Sequence, residues 1–190
     1  KSGYITTYFN VNVCGNLTSQ DASVSGNLSS GTMRIVLSWP SGSTADDLDS
    51  HLEIPDNASS TFHVYFNRDT FYYAKNANTC SSCSIDQLSD NVTLDLDDET
   101  DPGTETITIT KVRSGTYSYS VVDYYRVNSA SSTVLSKSGA SVKVYYNNTT
   151  TTFNVPNSAG GLWRVFTFTT SGGLIASGNM SSASNSGSVY

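Results

Sequence analysis

Residues 91–111 read NVTLDLDDETDPGTETITITK, two alternating runs on either side of an acidic turn. In the first run Val92, Leu94 and Leu96 alternate with polar residues, Asp95 and Asp97 among them; in the second Ile107 and Ile109 alternate with threonine. A period of two places the apolar side chains on one face of a strand and the polar ones on the other. Asp101-Pro102-Gly103 supplies the turn chemistry between them. This stretch predicts two half-buried strands, with Asp95 and Asp97 pointing away from the core.

The same pattern recurs along the chain. Alternation rich in Val, Ile, Thr, Tyr and Phe predicts strands near 4–13, 33–39, 48–54, 61–66, 70–74, 91–97, 105–111, 115–126, 140–146, 151–155, 162–169 and 173–177. No segment holds apolar residues at helical spacing for three turns. The expected fold is all-β, an antiparallel β-sandwich of the immunoglobulin-like or jelly-roll kind. Its core is expected from Ile35, Leu37, Trp39, Leu48, Leu52, Ile54, Val92, Leu94, Leu96, Ile107, Ile109, Tyr117, Tyr119, Val121, Val142, Val144, Phe166 and Phe168.

Composition narrows the function. Of 190 residues only 14% are charged, the formal net charge is −6, and Ser and Thr occupy 56 positions. The surface is therefore hydroxyl-rich, not ionic. Ten Lys and Arg, spread singly, make no stripe to neutralise phosphates, so nucleic acid is not an expected partner. No apolar run approaches the length needed to cross a bilayer. The chain opens at Lys1, as a mature secreted chain or a piece of a longer one would. With two His, no Gly-x-Ser-x-Gly elbow and no phosphate-cradling loop, the chain is not expected to be an enzyme.

Four segments are expected: a donor strand at 1–14, a polar linker at 15–32, the sandwich at 33–176 and a flexible tail at 177–190. In 4–13, YITTYFNVNV, Ile5, Thr7, Phe9, Val11 and Val13 share one face. Such a strand needs an apolar groove, either in its own domain or in a neighbouring subunit. The eighteen residues of the linker span up to roughly 60 Å when extended, enough to reach the next subunit. Ile5, Phe9, Val11 and Val13 are then the interface residues of a head-to-tail homopolymer.

Eleven of the sixteen acidic residues crowd into 46–56 and 95–105. If the strands carrying them are neighbours, like charges oppose one another, which destabilises a sheet. Calcium, which takes roughly six to eight oxygen ligands, would relieve this, with Asp47, Asp49, Asp95, Asp97, Asp98 and Asp101 as candidate ligands. An acidic, solvated strand edge is the competing explanation. His51 is expected to hydrogen-bond a neighbour instead of binding a metal.

Cys80-Ser-Ser-Cys83 suggests a small-loop disulfide in a secreted chain, with Cys14 able to pair with either or with another chain. Sequons stand at Asn16, Asn27, Asn57, Asn91, Asn147, Asn148 and Asn179, acceptors for glycans if the producing cell uses them.

Residues 33–146 carry Trp39-Pro40, Asp47-Leu48-Asp49-Ser50-His51-Leu52, Leu94-Asp95-Leu96-Asp97-Asp98, Glu105-Thr106-Ile107 and Gly115-Thr116-Tyr117 in that order. The order resembles the YfaP-like family of secreted bacterial β-sandwich domains, although Asp56-Asn57 stands where that family commonly has Gly after the proline. The resemblance implies an extracytoplasmic sandwich and carries no catalytic role. As a whole the chain looks like a subunit of an extracellular fibre. The expected function is a structural subunit of an extracellular glycoprotein filament assembled by strand donation, at the cell surface or secreted. The alternative is a calcium-dependent carbohydrate-binding or adhesion module, reading glycans through exposed Tyr and Trp163.

Overall fold

Alternating sequence becomes paired sheets in a computed structural model that describes residues 28–56, 60–73 and 90–190. The strand expected at 4–13, with Ile5, Phe9, Val11 and Val13, lies outside the described residues. So do Cys14, Cys80, Cys83 and the sequons at Asn16, Asn27 and Asn57.

Among the described residues eleven strands form two antiparallel sheets. The strands of the first sheet are β1 (Met33–Trp39), β4 (Thr70–Tyr72), β5 (Asn91–Leu96), β6 (Gly103–Ile109), β8 (Ser141–Tyr146) and β9 (Thr149–Asn154). Their order is β4-β5-β6-β1-β8-β9. The second sheet contains β2 (Leu48–Pro55), β3 (Thr61–Val64), β7 (Thr116–Asp123), β10 (Leu162–Thr169) and β11 (Gly173–Ser181), in the order β11-β10-β7-β2-β3. A short α-helix, α1 (Val134–Lys137), lies between β7 and β8 in the chain. The all-β sandwich predicted from alternation is the observed fold.

The core is the shared inner face. Met33, Ile35, Leu37 and Trp39 of β1 sit at the middle of the first sheet, between Ile107 and Ile109 of β6 and Val142 and Val144 of β8. Tyr117, Tyr119 and Val121 of β7 and Phe166 and Phe168 of β10 answer them from the second sheet. The Phe153 ring of β9 stacks on Phe166 of β10 with centroids 5.3 Å apart, bringing the two sheets together at that side.

One expected core residue is not in the core: Leu96 is 45% exposed. The register explains it. Leu94 pairs with Ile107 but Leu96 pairs with Thr106, so a β-bulge intervenes at Asp95. One extra residue flips the faces of everything after it. Leu96 therefore turns outward.

The segment 177–190, expected as a flexible tail, is structured. β11 runs on to Ser181 and a 3₁₀ turn follows at Ser186–Ser188. Val189 is buried with Val122, Val127 and Leu162. The Tyr190 hydroxyl donates to the Ser118 carbonyl at 2.8 Å. Scarcity of large apolar residues gave no sign of this, because two side chains near the end do the anchoring.

Gly103 opens β6 directly opposite Trp39. A Cβ there would stand 1.8 Å from the Trp39 ring, so the indole occupies the space a side chain would take. Gly103→Ala should lower stability by roughly 1–3 kcal/mol through overpacking, measured as a fall in the urea midpoint at unchanged m-value.

Candidate functional site

The bulge that turns Leu96 out has a chemical consequence. Continuing the register of Leu96↔Thr106 places Asp97 opposite Glu105. Glu105 shares its parity with Ile107 and Ile109, and it is completely buried, at 0% exposure. From the opposite sheet the backbone N–H of Ser50 in β2 donates to Glu105 Oε2. Ser50 Oγ in turn bonds the Tyr119 hydroxyl at 2.7 Å. Glu105 Oε1 has no hydrogen-bond partner, and neither has Asp49 Oδ2, also buried. Carboxylate oxygens of Asp49, Asp97 and Glu105 all lie within 4.8 Å of one another. Three acids from two sheets therefore meet at one end of the sandwich.

Their surroundings add more negative charge. Burial pushes the Asp49 carboxyl up to about 8, and Asp47, Asp97, Glu99 and Asp123 push it the same way. Asp47 is raised to about 6 by burial and by Glu99, Asp97, Asp123 and Asp98. Glu105 is raised well above the carboxylate range by burial first, then by Asp49 and Asp97. Arg126 lies at the rim, its guanidinium 3.3 Å from Asp123. An all-oxygen donor set of this kind suits a hard cation, not zinc.

The candidate ligands read from the sequence separate into two groups. Asp49 and Asp97 converge, and Asp47 and Asp98 lie close enough to raise the acids there. Asp98 is occupied by its own turn, its Oδ2 accepting from the Thr104 N–H at 3.0 Å. Asp101 accepts from the Gly42 N–H at 3.1 Å. Asp95 accepts from the Thr108 hydroxyl, with Arg34 bearing on it, in a cleft lined by Arg34, Thr93, Asp95 and Thr108. Glu105 was not among the sequence candidates. Its parity with Ile107 and Ile109 was the available signal. Alternation with Leu48, Leu52 and Ile54 predicts that Asp47, Asp49 and His51 point outward, yet all three are buried.

An aromatic shelf lies beside the acidic end. The Tyr124 N–H donates to the Asp47 carbonyl at 3.3 Å. Tyr124 packs edge-on against Phe66 and against Tyr125, which is 65% exposed. Trp163, expected as a sugar-stacking surface, is instead a core residue at 1% exposure. Among the sequons in the described residues, Asn147, Asn148 and Asn179 are exposed and Asn91 is half-buried in β5. Comparison of the chain with protein-family models, with curated proteins and with solved structures found no match.

His51 bonds a neighbour, as expected: its Nδ1 lies 2.8 Å from His63 Nε2. Tyr65 stacks on both rings. Burial, with a smaller contribution from Arg68, lowers His63 from 6.5 to about 4. A base depressed in the folded state stabilises the fold above the unfolded value of about 6.5, and that contribution is lost as pH falls through about 4. The His63 ring resonances should titrate near 4 by NMR, and His63→Gln should lose less stability than the parent chain between pH 6.5 and 4.

Proposed function

We propose that this chain is a structural subunit of an extracellular glycoprotein filament, in which residues 4–13 of one copy add as a strand to an open sheet edge of the next. The observation that carries this is the character of two edges. β9 (Thr149–Asn154) reads TTTTFN and β11 (Gly173–Ser181) reads GLIASGNMS; neither contains a charge or a proline, although the β10–β11 ladder shifts register between Ala176 and Asn179, which leaves β9 the more regular edge. Edge strands are ordinarily guarded by lysine, proline, bulges or shortness. The opposite edges fit that rule, since β4 has three residues and β3 four. β9 and β11 are six and nine residues long and largely exposed.

The packing of Phe153 on Phe166 places β9 and β11 along the same side of the sandwich, with half-buried Phe153, Leu174 and Met180 nearby. A strand added there would gain main-chain hydrogen bonds and a place for the apolar face of Ile5, Phe9, Val11 and Val13. Residues 28–30, where the linker joins the sandwich, line a cleft of about 440 Å³ with Tyr145–Thr150 of the β8–β9 turn. The resemblance of residues 33–146 to the YfaP-like family supports the extracytoplasmic setting, and the exposed sequons at Asn147, Asn148 and Asn179 support surface glycans.

A second class of function, a cation-dependent carbohydrate-binding or adhesion module, is favoured by one observation: the exposed Tyr124 and Tyr125 stand next to the acidic end, where a sugar ring can stack.

Analytical ultracentrifugation and electron microscopy of the full chain and of a chain lacking residues 1–14 separate the two. Strand addition predicts oligomers or filaments from the full chain and monomers from the truncated one. A full chain that stays monomeric at all concentrations overturns it. Glycan binding by that monomer, lost in Tyr125→Ala, would establish the second reading.

A further inference from the structure

We infer that Asp49, Asp97 and Glu105 form a divalent-cation site, of the calcium class, that ties the two sheets together at one end of the sandwich. The inference is independent of strand addition.

Geometry comes first. Two oxygens bound to one calcium ion at its usual distances are at most about 5 Å apart. One carboxylate oxygen from each of the three residues lies within 4.8 Å of the others, close to the spread that a single ion draws together. The second observation is the state of Glu105. It is fully buried, Ser50 satisfies one of its oxygens, and the other has no protein partner. A buried acceptor without a donor carries the desolvation penalty of the group, more for a charged one. Asp49 Oδ2 is in the same position. Two buried oxygens without donors, beside a third acid, make a seat for positive charge, either protons on the buried acids or a cation between them.

The described residues do not supply it. The charged groups bearing on Asp49 and Asp47 are Asp97, Asp98, Glu99 and Asp123, all carboxylates. Arg126 is paired with Asp123. His51 and His63 are paired with each other. Protons on Glu105 and Asp49 would neutralise the two buried acids but join nothing to Asp97; a divalent ion neutralises two charges and takes oxygens from all three residues. Asp97 is exposed, so the remaining coordination positions are open to water. Three carboxylates that differ in burial and come from separate chain segments suit the flexible, high coordination number of calcium better than the strict octahedron of magnesium.

The consequence is mechanical. Asp49 belongs to β2 in one sheet, and Glu105 to β6 in the other. Asp97 begins the β5–β6 turn. An ion held by all three joins both sheets and that turn.

The test uses the full chain, with isothermal titration by CaCl2 and MgCl2 and thermal unfolding in EDTA or calcium. Calcium should bind with Kd of about 10⁻⁵–10⁻³ M, and magnesium more weakly. At calcium near 100 times Kd, Tm should rise by about 5–10 °C over its value in EDTA. Asp97→Asn, an exposed change that leaves the core intact, should weaken calcium binding at least tenfold. Glu105→Gln should abolish the calcium response while melting in EDTA no lower than the parent chain, because it removes a buried charge. Folded parent chain with no binding heat and no Tm shift would overturn the site. So would calcium binding unchanged in Asp97→Asn. Magnesium bound as tightly as calcium would overturn the assignment to the calcium class.

Discussion

A carboxylate buried at the inner face of a sandwich constrains everything near it. Glu105 occupies a position where its strand otherwise places Ile107 and Ile109, and a charge there is costly unless it is paired and hydrogen-bonded. The protein meets part of that cost across the gap between sheets, through the Ser50 N–H and the chain of contacts from Ser50 to Tyr119. The remaining oxygen looks onto Asp49 and Asp97. The bulge at Asp95 creates this arrangement: without it the inward residue beside Glu105 would be Leu96, and this end of the core would close with apolar side chains.

That bulge also marks where reading from sequence stopped working. Period-two alternation located the strands from Met33 to Thr169 and nearly the whole core, because strand parity is a local property that survives packing. The exception, Leu96, fails for a long-range reason. Whether the ladder slips by one residue depends on the pairing of β5 with β6, which a strand viewed alone does not reveal. The same slip brings the Asp97 carboxylate, still exposed, beside those of Asp49 and Glu105. Glu105 was legible in principle, since its parity matches Ile107 and Ile109, but a glutamate on an apolar face looks like an error of register until its partners are known. Asp95 and Asp101 looked equivalent to Asp97 by spacing and are engaged elsewhere by Thr108 and Gly42, contacts that depend on the tertiary fold.

His51 shows the reverse case. Alternation put it on the outer face of its sheet. It is buried nonetheless, because His63, Tyr65 and the end of the chain cover that face. A second layer of side chains outside the sheet is invisible to a rule that divides residues into core and solvent. The small cluster of Val122, Val127, Leu162 and Val189 belongs to the same outer layer. It turns a serine-rich terminal stretch into ordered structure.

The sparse charges of this chain act in two places through one cause. Eleven of sixteen acids are gathered into two short windows, which leaves long stretches, β9 and β11 among them, with no charge at all. Concentrating charge makes an acidic end that calls for a cation; withdrawing it makes sheet edges that nothing repels. Threonine and serine keep such edges soluble by hydrogen-bonding to water, but hydroxyl groups do not forbid another strand as lysine or proline does. A sandwich built this way gains from having its open edges filled, and this chain carries an alternating apolar segment at 4–13 on a polar linker. Whether that segment fills its own domain or its neighbour's is decided by effective concentration against the strain of folding back. The eighteen-residue linker is long enough for both, and under the proposed strand addition an edge left vacant by one copy would be the joint for the next.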